Sequence, residues 1–289
     1  MLCELPNIGL IKIQGKDAKK FLQGQLTCNV ELLTPTKSCM GAHCTPQGRV
    51  ISLFYLLFLE DAYYLLMQKS MVAIAISALK KYAVFFNTDI TDASHTRRTI
   101  GCDLSELSHE QLPSVGYISI SPTSKRYSIT GAANDIQSIW DALSKQTTVT
   151  TANQWQHQQI DEGIPDIYPE TSGKFLPHEI NLDKLNAIHF DKGCYTGQEI
   201  IARMHYRGKL KTRLYQATIT SDTRLQRGAD IYTLHEDKIN PCGMIVDLCE
   251  ENTTMINQHH LLIVCNELND NTPIFLNKNT QSTLALSEK

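Results

Sequence analysis

The sequence predicts an α+β fold, with antiparallel sheets and helices in residues 1–207 and a small C-terminal β-barrel in residues 208–289. Strands and helices alternate irregularly with links of hairpin length, which favours antiparallel sheets over a doubly wound parallel sheet. Beyond Gly208 the pattern changes to short strands separated by turn residues, as in a small barrel. The 289 residues, 42% of them hydrophobic, suffice for about two domains, and the first region has room for two subdomains.

The elements of the first region follow from hydrophobic spacing. Strands are predicted where β-branched and aromatic residues run between turn residues, at 8–13, 38–44, 49–60, 62–67, 97–102, 116–120 and 126–130. Helices are predicted at 17–22, 70–82, 134–144 and 153–162. Residues 147–151 are either a connector or a short strand. Residues 163–177, rich in Pro, Gly and Ser, are predicted to form a long ordered loop.

The second region is predicted to be almost entirely strand and turn. Its strand-like runs are residues 211–220, 230–234, 243–248 and 260–265. Residues from 277 onward lack such a run and are predicted to be frayed.

Composition favours a cytoplasmic protein without a membrane partner. The nine cysteines are odd in number, irregularly spaced and free of C-x-x-C pairs, which indicates free thiols in a reducing compartment. The N-terminus lacks the features of a signal or transit peptide, and the longest apolar run, Val50–Leu59, is too short to span a bilayer. The formal net charge of -3 provides no strong field for nucleic acid.

Several common enzyme classes have no motif in this sequence. It contains no G-x-G-x-x-G after a strand, no Walker A loop, no H-E-x-x-H and no G-x-S-x-G. A generic dehydrogenase, nucleoside triphosphatase, zinc protease or serine hydrolase is therefore not indicated.

Cys194 is the residue whose surroundings most favour reactivity. Lys192 lies two residues before it, Gly193 permits a tight bend, and residues 197–199 open a predicted helix. A thiol just before a helix N-terminus faces unpaired N–H groups and the positive end of the dipole, which stabilise a thiolate, and a nearby ammonium adds to this. We predict Cys194 and Lys192 as the catalytic residues. The alternative is that Cys194 is one more small buried side chain.

The segment around Cys194 also resembles a known family. The chain is identified as a member of the YgfZ family, which includes a mitochondrial branch devoted to iron–sulfur assembly. The matching blocks are KGCYTGQE at 192–199, AR at 202–203, YRG at 206–208, NLD at 181–183, FLQGQLT at 21–27 and GAHC at 41–44. Members resemble the folate-dependent T-protein of the glycine cleavage system. The resemblance implies a T-protein-like body with a central folate site.

The implied cofactor is tetrahydrofolate or a one-carbon derivative of it. A carboxylate can accept the paired N–H groups of a pterin. The segment at residues 160–165 resembles the T-protein stretch in which a Glu two residues before a Gly binds the pterin. Asp161 occupies that position, and Glu162 is the second candidate. The alternative is that both only end a helix or face solvent.

A cationic run follows the cysteine motif. It consists of Arg203, Arg207, Lys209, Lys211 and Arg213. The run could bind the glutamate tail of folate or an acidic partner surface, or it could be a solvated helix end and edge strand. We predict Gln198, Arg203 and Arg207 as further folate contacts. Direct nucleic-acid binding is disfavoured, because the run is short and the whole chain is acidic.

The resemblance implies a folate-binding accessory protein for maturation or repair of iron–sulfur enzymes, including radical enzymes that modify tRNA. Cys194 would act there as nucleophile, redox thiol or transient ligand. Two alternatives stay open: an aminomethyltransferase that transfers one-carbon units to tetrahydrofolate, and a folate-loaded scaffold that only docks partners. The T-protein does not use such a cysteine, so the motif argues against the transferase.

Overall fold

A computed structural model of the protein describes residues 1–103, 115–120, 125–221, 224–235, 238–253, 256–266, 273–276 and 283–286. Within these ranges the predicted α+β class is confirmed: two antiparallel sheets and five α-helices precede a closed six-stranded barrel. No helix in the same ranges is long and apolar enough to cross a membrane.

The strands are numbered β1 to β15 in chain order. They are Leu2–Glu4, Ile8–Gln14, Cys39–Cys44, Val50–Leu59, Ala62–Gln68, Asp89–Asp92, Arg98–Asp103, Gly116–Ser119, Arg126–Gly131, Thr212–Thr220, Asp230–His235, Lys238–Thr253, Ile256–Asn266, Ile274–Phe275 and Thr283–Leu286. The α-helices α1 to α5 are Ala18–Gln25, Val72–Ala83, Ala133–Leu143, Ala152–Asp161 and Gln198–Arg207. Short 3-10 turns cover Val30–Leu32, Lys69–Met71 and Pro177–Ile180.

The first sheet has the strand order β3-β4-β5-β2-β6. Its central strands are buried on both faces, which explains the near-continuous apolar run of β4. The predicted turn at residues 45–48 joins β3 to β4: the Gly48 N–H donates to the Thr45 carbonyl at 2.8 Å. Gly48 has a φ of 75°, which glycine adopts without steric cost.

The second sheet has the order β1-β7-β9-β8 and packs against α3. Its core includes Ile100 and Ile129 from the sheet and Ile136 from the helix. Leu2 of β1 also forms a parallel bridge with Val149. The segment at residues 147–151 is thus a connector that pairs with the sheet at one point.

The barrel closes in the order β10-β13-β12-β11-β14-β15. The prediction that residues from 277 onward are frayed is wrong for Thr283–Leu286, because β15 pairs with both β14 and β10. Only Leu284 of this four-residue strand is buried. Such a short strand has almost no hydrophobic pattern of its own, and its stability comes from neighbours on both sides.

Helix α4 and the long loop after it lie between the sheets and the barrel. A capping box formed by Thr151 and Gln154 begins α4, which ends against β12 and β13. The loop is ordered as predicted, since it exchanges two hydrogen bonds with Val50 of β4. One hydrophobic core contains Trp155 of α4, Phe175 of the loop and Val246 of the barrel. This shared core positions the walls of the site.

Candidate functional site

A central cavity of about 270 Å³ lies where the two sheets, α4, the long loop and the approach to the barrel meet. Its apolar wall includes Met40, Leu53, Phe54, Tyr55, Leu66 and Trp155. Its polar groups include those of Gln68, Gln156, Gln159, Asp166, Tyr168 and Arg227. Mostly apolar walls with a few convergent polar groups are typical of a small-molecule site.

Asp166 is the carboxylate among the described residues that line this cavity. Its Oδ2 accepts a hydrogen bond from Gln68 Nε2 at 2.6 Å, and its Oδ1 accepts from the Ile167 N–H at 2.9 Å. Burial raises the pKa of Asp166 to about 7, and the negative charge of Asp247 contributes to the rise, whereas the Gln68 bond opposes it. The carboxyl group can therefore change its charge near neutral pH.

A charged network lies behind the polar wall. Arg227 Nε is 2.8 Å from Asp247 Oδ1, and Gln156 Nε2 donates to the same oxygen at 3.0 Å. The Arg227 guanidinium lies 3.8 Å from the centroid of the Tyr168 ring. Burial raises the pKa of Asp247, and the ion pair with Arg227 opposes that rise. Because Asp247 belongs to β12, the barrel helps to hold Arg227 at the cavity.

The cavity can bind a planar, nitrogen-rich ring. Phe54, Tyr55 and Trp155 provide apolar surface, and each oxygen of Asp166 keeps a second lone pair for an incoming donor. A pair of adjacent N–H groups could then bond to the carboxylate in a low-dielectric setting, where such bonds are strong.

Lys192 begins the segment that contains Cys194, and its side chain is buried. Its ammonium donates to the carbonyls of Leu26 and Cys28, both at 2.7 Å, and lies 5.1 Å from the Tyr195 ring centroid. Burial lowers the pKa of Lys192 to about 8. These contacts direct the ammonium inward, so Lys192 fastens the segment to the residues after α1.

Residues 192–197, named here the cysteine loop, hold Cys194 at the surface. All nine cysteines lie in the described part of the chain: Cys194 is exposed, Cys39 is half-buried and the other seven are buried. A Cβ atom on the neighbouring Gly193 would meet nothing within 4 Å. The thiol of Cys194 is therefore open to a large reagent or partner.

The cysteine loop ends in the helix that the sequence predicts. Helix α5 begins at Gln198, with Gly197 as its N-cap at a φ of 84°. A Cβ at residue 197 would lie 2.6 Å from the Thr45 carbonyl oxygen, so the loop packs directly on the β3–β4 turn. Gly197 is needed here for its positive φ and for the close approach.

Blocks that are far apart in sequence meet at the cysteine loop. Thr196 Oγ1 donates to Gln25 Oε1 at 3.1 Å, which joins the loop to α1. Thr27 Oγ1 accepts from the Ala42 N–H at 2.8 Å and donates to the Ala187 carbonyl at 2.6 Å. The blocks at 21–27, 41–44 and 192–199 thus form one packed unit.

A side pocket lies between the cysteine loop and the central cavity. It is lined in part by Cys28, Cys39 and His189, and it shares Met40, Tyr55 and Ile120 with the cavity. The Cys28 carbonyl accepts a hydrogen bond from the Lys192 ammonium, so Cys28 links the lining of this pocket to the cysteine loop.

The predicted folate contacts lie outside the lining of the central cavity. Asp161 ends α4 beside His157 and His260, and Glu162 forms an ion pair with Arg126 at 2.8 Å. Both line a shallow surface depression instead.

The other predicted contacts belong to α5. Gln198 is its first residue, and Arg203 and Arg207 are exposed along it. The structure therefore places Gln198 next to the cysteine loop and does not bring the predicted folate contacts together. The cavity residues that sequence analysis missed are Gln68, Asp166 and Arg227. They come from three separate segments, and only the position of Asp166, five residues after Asp161 and just beyond the end of α4, gave a local signal.

Comparison with known proteins identifies the family. No family model matches the chain. The tRNA-modifying protein YgfZ of Colwellia psychrerythraea is 33% identical over 229 residues, which cover 74% of this chain and 70% of the relative. Its counterpart in Hamiltonella defensa is 33% identical over 227 residues, covering 73% of this chain and 67% of the relative. The chain belongs to the YgfZ family.

A solved structure agrees with the T-protein-like fold that the YgfZ resemblance implied. Glycine cleavage system aminomethyltransferase T from Bartonella henselae superposes with a TM-score of 0.71, over 100% of this chain and 84% of that protein. The two sequences are 11% identical, so the likeness concerns the fold alone. This YgfZ-family chain therefore has the architecture of a T-protein.

Proposed function

We propose that this protein binds tetrahydrofolate, or a one-carbon derivative of it, in the central cavity. Membership of the YgfZ family and the T-protein-like fold support this ligand class. The pterin end would meet Asp166, whose carboxylate can accept two adjacent N–H groups. Aromatic and aliphatic side chains around it would cover the ring faces.

The pterin contact is proposed for Asp166 in place of Asp161. Asp161 is half-exposed and lies beyond the cavity lining, whereas Asp166 lines the cavity and has an elevated pKa. Glu162 forms an ion pair with Arg126 and also lies outside the cavity lining, so it is not proposed as the pterin contact. Arg203 and Arg207 remain predicted contacts for the glutamate tail, since this flexible end of a folate would extend toward solvent.

We further infer that the protein acts as an accessory factor in maturation or repair of iron–sulfur enzymes, including radical enzymes that modify tRNA. The curated relatives are named as tRNA-modifying proteins. The observation that best supports an active thiol is the exposure of Cys194 on a loop anchored by the buried Lys192. An accessible thiol on an anchored loop suits contact with another protein or its metal cluster. The protein would work in the cytoplasm.

The folate proposal is tested by titration calorimetry of the purified protein with folinate. We expect saturable binding that Asp166→Asn weakens. If binding does not saturate at about 1 mM folinate, the binding free energy is weaker than ~4 kcal/mol, and the ligand assignment is wrong.

The accessory role is tested in a deletion strain by measuring methylthiolated tRNA. Wild-type protein is expected to restore the modification, and Cys194→Ser is expected not to. Full restoration by Cys194→Ser would favour a folate-loaded scaffold. Methylene transfer from an amine donor to tetrahydrofolate would instead support the aminomethyltransferase alternative.

A further inference from the structure

Two histidines and one carboxylate converge where α4 ends against the barrel. His157 and Asp161 are four residues apart on α4, so they project from the same face. His260 reaches them from β13. His157 Nδ1 lies 3.3 Å from Asp161 Oδ2, and His260 Nδ1 lies 3.5 Å from Asp161 Oδ1. The two imidazole ring centroids are 4.0 Å apart.

The spacing of these atoms is compatible with all three residues binding one ion, with each imidazole next to a different oxygen of the Asp161 carboxylate. Two donors that are each about 2.0–2.1 Å from a zinc ion at the tetrahedral angle stand ~3.3 Å apart. The nitrogen–oxygen separations here are 3.3 and 3.5 Å, and one ligand atom from each residue can be chosen so that all lie within 4.8 Å of one another. Modest side-chain rotation would bring the two imidazoles onto one ion.

The chemistry of the donors selects the kind of metal. Imidazole nitrogen suits Zn²⁺ and its transition-metal neighbours, whereas Mg²⁺ and Ca²⁺ prefer oxygen donors. We propose that His157, Asp161 and His260 form a binding site for a divalent transition metal ion of the zinc class.

The exposure of the ligands defines what such a site could do. The side chains of His157, Asp161 and His260 are 28%, 51% and 17% exposed, so an ion can enter and a water molecule can complete its coordination. Three protein ligands with one open position are the arrangement of catalytic zinc sites, whereas structural sites are usually closed by four. The ion would also join the end of α4 to the barrel.

This site is independent of the central cavity and of Cys194. Its three ligands are absent from the cavity lining described above, and they include no thiol. Metal binding and folate binding can therefore be measured separately, and failure of one would leave the other standing.

Cobalt provides the direct test, because Co²⁺ reports its geometry and its ligands in visible and near-ultraviolet absorption. The purified protein is first freed of metal with a chelator and then titrated with CoCl2. We expect one equivalent of Co²⁺ to bind and to give a visible spectrum typical of four or five ligands, without a thiolate charge-transfer band. Zn²⁺ is expected to displace the bound Co²⁺. Each of His157→Ala and His260→Ala is expected to weaken binding at least about 100-fold, above the loss typical of outer-shell changes.

His95→Ala is the matched control, since His95 is an exposed histidine on the connection after β6. It is expected to bind Co²⁺ as the wild type does, and circular dichroism would show that every variant is folded. Folinate affinity is expected to stay unchanged in the histidine variants. Unchanged Co²⁺ affinity in both His157→Ala and His260→Ala would overturn the proposal. So would a spectrum dominated by a thiolate band that Cys194→Ser abolishes.

Discussion

The central cavity and the cysteine loop place their reactive groups in opposite surroundings. Asp166 lies in a cavity where burial raises its pKa to about 7, and its polar neighbours come from the first sheet, α4 and the approach to the barrel. Cys194 lies in solvent, on a loop whose anchors Lys192 and Thr196 point inward. The cavity is suited to selecting a small molecule by excluding water. The loop is suited to presenting a thiol to a partner too large to enter a cavity.

The largest effect is expected at the loop. Cys194→Ser should abolish restoration of tRNA methylthiolation, because a hydroxyl is neither a comparable nucleophile nor a soft metal ligand. Stability should change by no more than about 0.5 kcal/mol, since the side chain is exposed. Competitive iodoacetamide labelling followed by mass spectrometry should show Cys194 reacting first. Cys39→Ser is the control at the next most accessible thiol; if Cys39 labels first and Cys194→Ser is functional, the thiol has no special role.

At the cavity, Asp166→Asn should weaken folinate binding by roughly tenfold to a hundredfold. The loss of a charge-assisted contact costs on the order of 1.5–3 kcal/mol. Asp161→Asn is the matched control, because Asp161 lies outside the cavity lining and should leave the affinity nearly unchanged. Calorimetry on both variants decides between the two carboxylates. A large loss in the Asp161 variant alone would restore the pterin contact that the sequence predicted.

The loop's backbone can be tested with a pair of glycines. Gly197→Ala should destabilise the protein by about 1–3 kcal/mol, because residue 197 has a positive φ and a Cβ there would clash with the Thr45 carbonyl. Gly193→Ala should cost less than about 1 kcal/mol, since a Cβ there meets nothing within 4 Å. Urea unfolding measures both. Equal losses would mean that the loop does not depend on its contact with the β3–β4 turn.

The pH dependence of folinate binding should distinguish the cavity from the loop. In the free protein the pKa of Asp166 is about 7, so below that pH the carboxyl must lose a proton before it can accept two N–H donors. Affinity should therefore fall by up to about tenfold per pH unit below 7 and level off above it. Asp166→Asn should flatten this profile, whereas Cys194→Ser should not change it. Calorimetry between pH 6 and 8 provides the measurement, and an equally steep profile in Asp166→Asn would exclude this carboxyl as its cause.

The raised pKa of Asp166 also makes the stability of the folded protein depend on pH. Folinate affinity is expected to rise with pH, whereas stability is expected to fall. The pKa of Asp166 is raised from 3.8 to about 7 by folding, so the folded state holds this proton more tightly than the unfolded state does. Its contribution to stability is most favourable near pH 4 and is lost as the pH rises to 7. Asp166→Asn should thus stabilise the ligand-free protein at pH 8, by about 1–3 kcal/mol, and have little effect at pH 4. Thermal unfolding of the wild type and the variant at both pH values is the measurement. An equal effect of the substitution at pH 4 and pH 8 would show that the charge of Asp166 is not responsible.

The two regions also differ in how far sequence alone could predict them. The cysteine loop is a contiguous segment, so the helix start after Gly197 could be predicted from neighbouring residues alone. Helix α5 begins at Gln198 as expected. The cavity depends on Gln68, Asp166 and Arg227, which only the tertiary fold brings together. Resemblance to the T-protein segment favoured Asp161. The direction of a side chain at a helix end depends on what packs beyond it, which the local sequence does not specify. The inward direction of Lys192 was missed for the same reason.

Closure of the barrel determines when this protein can finish folding during synthesis. The five-stranded sheet pairs strands within residues 8–92, so most of its contacts can form early. Strand β10 instead pairs with β13 on one side and with β15 on the other, at Thr218 opposite Ala285. Until β15 emerges from the ribosome, one edge of β10 has no partner strand there and could pair with another chain. The nascent protein would therefore pass through a stage in which its folded body has an open barrel attached, and that stage is when a chaperone would be needed most.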